Sequence, residues 1–196
     1  MSNVHVRLHK DILWLILDRP PLNILSIEML DQLTAAMRDA VKHAPRLIVI
    51  TGAGERAFSA GVDIHDHLHD REKEMLRAVY DNCAAFEELR AQHIATIALV
   101  KGYALGGGCE LAALCDTVIA HEDATFGLPE ISLGVLPPVA AAYFPALIGQ
   151  NATMRLMLTG ETIDAREALH LGLVHQVLSS RRFLPDAEEL LIMLAT

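Results

Sequence analysis

Two glutamates, Glu110 and Glu130, stand where a carboxylate could do chemistry in this 196-residue chain. Glu110 lies in GYALGGGCELAALCD, residues 102–116, directly behind three consecutive glycines; Glu130 lies in TFGLPEISLGVLPP, after a proline and among apolar residues. Carboxylates in apolar settings have raised proton affinity, so such a pair can trade protons near neutral pH. The glycines suggest what would accompany that pair. A strand ending at Tyr103 and Ala104, then glycines, then a helix, aims backbone N–H groups out of a helix N-terminus with no side chain in the way. Negative charge is favoured there by about 0.3–1 kcal/mol from the helix dipole, so the spot suits an anion or a developing oxyanion. Close packing of strand on helix would use the same glycines.

A second loop of small residues, AFSAGVDI at 57–64, offers another set of exposed amides, and amides from two loops can converge on one oxygen. Other chemistries find less to use. GxxxxGK[ST] does not occur, and GAGERA at 52–57 lacks the GxGxxG dinucleotide fingerprint. No GxSxG surrounds a serine, and Ser59, the nearest candidate nucleophile, has no histidine and aspartate suggested around it. His65, His67 and His69 in HDHLHD would share one face only on a strand, and the segment reads as a polar loop, so no metal is expected. Cys83, Cys109 and Cys115 show no CxxC spacing and cannot all pair, which fits a reducing compartment and small buried thiols.

The elements that must hold these residues alternate between strand and helix. VHVRLH and ILWLILD, around Lys10-Asp11, predict a β-hairpin that DRPPLN ends, because Pro20 and Pro21 lack the amide a ladder needs. Ser26 can cap a helix bearing Ile27, Leu30, Leu33, Met37 and Val41 at helical spacing. Strand RLIVIT follows, then a loop, a long helix at about 71–91, strand IALVKGYA, a short helix from near Gly108 and strand TVIAHE. Beyond 135 the spacing predicts short helices around one more strand, LVHQVL, and the pattern as a whole is α/β. No linker divides the chain, so a single domain is expected over 1–196, with a core at 1–135 and a helical segment with one strand at 136–196. The last stretch, FLPDAEELLIMLAT, reads as an amphipathic helix whose Leu190, Leu191 and Leu194 want a partner surface, supplied by another chain unless the sequence is cut short there.

Composition narrows the function. With 52% hydrophobic residues the chain can bury a sizeable core, and its first 20 residues lack a signal peptide's apolar block, so a cytoplasmic protein is expected. A formal charge of −9 speaks against nucleic-acid and anionic-membrane partners, although Arg19, Arg56 and Lys101 could gather around a small anion.

AFSAGVDI, GYALGGGCELAALCD and FGLPEISLG, in this order and spacing, resemble the three signature segments of the crotonase superfamily, the enoyl-CoA hydratases and isomerases. The likeness extends from DRPPLN to LTGETIDAREALHLGLVHQV. It implies a ClpP/crotonase-type spiral of repeated β-β-α units with surrounding helices, whose C-terminal helical region is truncated here, since family members usually continue into further helices. The family resemblance also implies a coenzyme A thioester as substrate, no required cofactor, and a homotrimer or hexamer. Val62 and Gly107 match the family's two oxyanion-hole donors, and Glu110 and Glu130 its two hydratase glutamates. Gly61, Asp63, Gly106, Gly108, His67 and Pro137 are the accompanying candidates for substrate binding. Carrying both glutamates favours a hydratase over an isomerase or dehalogenase within the family; a double-bond isomerase and a non-catalytic acyl-CoA-binding module are the alternatives. LPPVAAAYFP at 136–145 and GVDIHDH look like the branch that hydrates cyclohexa-1,5-diene-1-carbonyl-CoA, where an apolar pocket lined by Ala and Pro would suit a ring.

Overall fold

The computed structural model describes residues 3–67, 71–179 and 182–195. Strands β1 (Val4–His9) and β2 (Ile12–Leu17) form the expected antiparallel hairpin, turned by Lys10 and Asp11, both at positive φ. Helix α1 (Ile27–His43) begins where Ser26 accepts a hydrogen bond from the Met29 N–H. From there the chain repeats one unit. A long strand, β3 (Leu47–Gly52), enters a six-stranded sheet and a short one, β4 (Ala57–Ser59), a separate four-stranded sheet; helices α2 (Ile64–His67) and α3 (Glu72–Ala91) follow.

The second turn is β5 (Ala95–Val100), β6 (Tyr103–Leu105) and α4 (Gly107–Leu114); the third is β7 (Thr117–His121), β8 (Thr125–Gly127), a 3-10 turn at Pro129–Leu133 and α5 (Pro138–Ile148). Helix α6 (Gln150–Thr159), strand β9 (Thr162–Asp164), helix α7 (Ala165–Leu171), strand β10 (Gln176–Leu178) and helix α8 (Phe183–Leu194) complete it. The large sheet runs β1-β2-β3-β5-β7-β10 and the small one β4-β6-β8-β9. Strands β2, β3, β5 and β7 pair parallel, as crossovers through helices require. The β-β-α spiral is thus visible in the topology itself: each turn gives one strand to each sheet and then climbs through a helix.

Three expectations are corrected here. IALVKGYA is two strands in two sheets, because the chain breaks at Gly102 between β5 and β6. The segment after 135 holds two strands instead of one, since β9 pairs antiparallel with β8 to finish the small sheet. HDHLHD is partly helical, α2 spanning Ile64–His67; the His67 side chain and the whole of His69 lie outside the described residues.

Period-two alternation along the large sheet divides the apolar side chains between two cores. Leu13, Leu15, Leu17, Ile48, Ile50, Ala98 and Val100 face the main core beneath α1, α3 and α4. Ile12, Leu47, Val49, Ile97, Leu99 and Ile119 face the other way, onto Phe183, Ala187 and Leu191 of α8. The partner surface that α8 calls for is therefore this chain's own sheet, at least for Leu191; Leu190 is half-buried and Leu194 exposed. Burying Phe183 and Leu191 contributes about 1.5–3 kcal/mol each. Among the described residues no helix is long and apolar enough to cross a membrane.

Helix α4 lies in the middle of the main core, with all eight of its residues buried. Its approach to β4 demands Gly108: a β-carbon there would stand 2.2 Å from the Ser59 carbonyl oxygen. Gly108→Ala is expected to destabilise the fold by about 1–3 kcal/mol, because the rigid strand cannot yield. Chemical denaturation measures this, and an unchanged midpoint would mean that α4 slides freely.

Candidate active site

An apolar cavity of about 590 Å³ opens between the first and third turns of the spiral, and most of the sequence-predicted site residues line it. Gly61, Val62 and Asp63 arrive after β4; Gly106, Gly107 and Glu110 from the start of α4; Glu130 from the 3-10 turn; Pro137 from the start of α5. Gly108 is not among the lining residues, since it is spent on packing against Ser59, and its expected role in substrate binding is corrected to a structural one.

The backbone around Val62 is set by a parallel bridge to Leu25. Leu25 N–H donates to the Gly61 carbonyl at 2.8 Å, and Asp63 N–H donates to the Leu25 carbonyl at 2.9 Å. In that pattern Val62's own N–H points away from the bridge. Gly107 opens α4, so its N–H has no carbonyl within the helix to reach. The two amides are neighbours: Val62 N lies 3.5 Å from where a β-carbon on Gly107 would stand, and Gly107 N lies 3.7 Å from the same point on Gly61. Among the described residues neither amide is matched with an acceptor. Such a pair of free donors beside a cavity suits one oxygen that carries negative charge.

Glu110 is buried, and its Oε1 accepts the Ala140 N–H at 2.8 Å. Pro137 gives α5 no side-chain cap, so a carboxylate from α4 takes one of the helix's free amides. Burial raises the Glu110 pKa to about 7; the α5 amides pull it down and the Glu130 charge pushes it up. Burial also raises Glu130, whose Oε2 is buried without a hydrogen-bond partner among the described residues. Glu130 Oε1 stands over the backbone of Gly106, where a β-carbon would come within 2.7 Å of it, and Gly106 adopts φ +53°, which glycine takes without strain. An unpartnered carboxylate oxygen at the edge of a cavity is a place for a water or a substrate proton.

The walls are Ile24, Met75, Leu76, Val79, Val135, Leu136, Pro137 and Pro138. Proline contributes as expected, but the alanines of LPPVAAAYFP do not: Ala140 faces the core, and Ala141 and Ala142 are exposed on the outer side of α5. Met75, Leu76 and Val79 of α3 carried no signal in the sequence beyond an amphipathic helix. Ser59 is fully buried, its Oγ accepting the Gly61 N–H at 3.2 Å, which suits a turn-former and not a nucleophile. Arg19 lines the cavity, whereas Lys101 is engaged by Glu55 at 2.7 Å and neither it nor Arg56 reaches the lining, so the three cations do not form one anion site.

Comparison with known proteins places the chain in a family. Residues 7–196 match the family described as enoyl-CoA hydratase/isomerase. A probable enoyl-CoA hydratase of Mycobacterium leprae is 41% identical over 181 residues, covering 88% of this chain and 67% of the relative. A crotonyl-CoA hydratase of Syntrophomonas wolfei is 36% identical over 167 residues, covering 84% and 62%. The chain thus spans about two thirds of the length of the curated relatives it matches. Among solved structures, Pseudomonas aeruginosa DspI superimposes with a TM-score of 0.91 at 31% identity, covering all of this chain and 75% of that one.

Proposed function

The chain belongs to the enoyl-CoA hydratase/isomerase family, the crotonase superfamily, and we propose that it adds water across the double bond of an enoyl-CoA thioester. One observation carries this reading: a buried and a half-buried carboxylate, both of raised proton affinity, and two unclaimed amides border the same apolar cavity. The amides of Val62 and Gly107 hold the thioester oxygen as enolate charge develops on it, each worth roughly 3–4 kcal/mol by analogy with other oxyanion holes. Between them Glu110 and Glu130 hold one proton and one water. As the water oxygen bonds to the β-carbon, one carboxylate takes its proton; the other carboxyl delivers its own proton to the α-carbon. A C–O and a C–H bond form, one O–H bond of water breaks, and the pair again holds one proton. Nothing in that balance calls for a cofactor beyond the coenzyme A carried by the substrate. Assembly as a homotrimer or hexamer belongs to the same reading.

The acyl group is compact. An apolar cavity walled by Pro137, Pro138 and Val79 supports either a short chain or the ring of cyclohexa-1,5-diene-1-carbonyl-CoA, and the likeness to a crotonyl-CoA hydratase supports the chain. Incubation with each thioester separately, following the conjugated absorbance and the product mass, tests the reading. Crotonyl-CoA is expected to gain the mass of one water, and faster turnover of the cyclic diene would assign the dienoyl branch. A product of unchanged mass that takes up no heavy oxygen from labelled water would make the protein an isomerase, and binding without turnover of either thioester a non-catalytic module.

A further inference from the structure

We propose that the ion pair between Arg19 and Asp63 is a clamp that positions the Val62 amide for the thioester oxygen. The inference rests on the hydratase reading, since it assigns that amide to the oxyanion. Arg19 comes from the DRPPLN turn and Asp63 directly follows Val62. Arg19 Nη2 donates to Asp63 Oδ2 at 2.8 Å, while Nη1 donates to the Ile24 carbonyl at 3.1 Å. The other carboxylate oxygen, Asp63 Oδ1, accepts the His65 N–H at 3.0 Å. Together with the two backbone bonds between Leu25 and Gly61–Asp63, one guanidinium therefore ties both strands of the bridge on which Val62 sits.

The clamp is placed where packing cannot do this work. Val62 is only half-buried, and the chain on either side of it is loop. The peptide plane that carries the Val62 N–H is held at its carbonyl end by the Leu25 N–H. Drift of the Leu25 segment against Val62 would turn the N–H away from the oxygen it must meet, and the Arg19 bonds to the Ile24 carbonyl and Asp63 oppose that drift. The Arg19 and Asp63 side chains are 37% and 16% exposed, so solvent screens the pair only in part, and its loss is expected to leave a folded protein with a looser donor. The Arg19 guanidinium is already committed to Asp63 and Ile24, which sets it apart from a free cation waiting for a phosphate of coenzyme A.

The test uses 4-(dimethylamino)cinnamoyl-CoA, a push–pull thioester whose absorbance moves to longer wavelength when its carbonyl is polarised by hydrogen bonds. The wild-type protein is expected to bind it with a red shift. Arg19→Met and the isosteric Asp63→Asn are expected to bind it with comparable Kd but lose at least half of that shift. Their kcat for crotonyl-CoA is expected to fall about tenfold with KM little changed, as for a misplaced transition-state contact, and Arg19→Lys to recover part of both. A full red shift with unchanged kcat in both variants overturns the clamp. So does a full shift with Kd and KM raised about tenfold, which would make Arg19 a grip on coenzyme A. Probe bound by the wild type with no red shift removes the oxyanion reading itself, and the clamp with it.

Discussion

Replacing either Glu110 or Glu130 by glutamine is expected to lower kcat for hydration by about 10²- to 10⁴-fold, the range for losing a positioned acid or base. Glutamine keeps the shape and, at 110, an oxygen to accept the Ala140 N–H, so the fold and the thioester site persist. What it cannot do is take a proton from water or give one to carbon. The two variants should fail alike because the proton moves through the pair, and the double variant should be little worse than either single one. Steady-state hydration of crotonyl-CoA is the measurement; near-wild-type turnover in one variant would remove that residue from the mechanism. The pair also dictates a bell-shaped pH profile for kcat/KM. Both carboxyls are protonated at low pH, leaving no base, and activity rises as the first ionises. Activity falls again as the last proton leaves, around pH 7, where burial sets the Glu110 carboxyl. A flat profile across pH 5–9 would mean that neither carboxyl titrates in the free enzyme.

The part of this site that sequence makes legible is the part written in residue type and local spacing. Three glycines before an acid announce a strand-to-helix junction with open amides, and Gly107 and Glu110 lie beside the cavity as that reading requires. The same reasoning failed for Gly108, one residue away, because only the third dimension brings the Ser59 carbonyl against it. The small sheet escaped for a different reason. Each of its strands is three residues long, too short to display a period of two, so β6 merges with β5 in IALVKGYA, β4 falls within the loop AFSAGVDI, and β8 and β9 give no strand signal. Walls drawn from α3 were equally silent, since Met75 and Val79 fit the apolar face of a helix whether they cover a core or a ligand. The Ala140 amide that holds Glu110 has no side-chain signature at all.

The burial that equips Glu110 for proton transfer should also weaken the fold at alkaline pH. Its carboxyl titrates near 4.5 when unfolded and at about 7 when folded. Between those values the folded protein holds a proton that the unfolded chain has released, so stability from this group declines as pH rises through the window and levels off above it. The full difference is on the order of 3 kcal/mol. Glu110→Gln abolishes the titration while preserving the hydrogen bond to α5, and its melting temperature should exceed that of the wild type by roughly 5–10 °C at pH 8. At pH 5, where the folded wild type is already protonated, the two should melt within about 2 °C of each other. Thermal unfolding of both proteins across pH 5–8, without ligand, reads this directly. An equal difference at both ends would mean that the carboxyl is as well solvated in the folded protein as in the open chain, and α4 would then not hold it in the apolar setting that makes it an acid. A gain confined to alkaline pH, in a variant that no longer hydrates its substrate, would tie the lost stability and the acid–base chemistry to one buried charge.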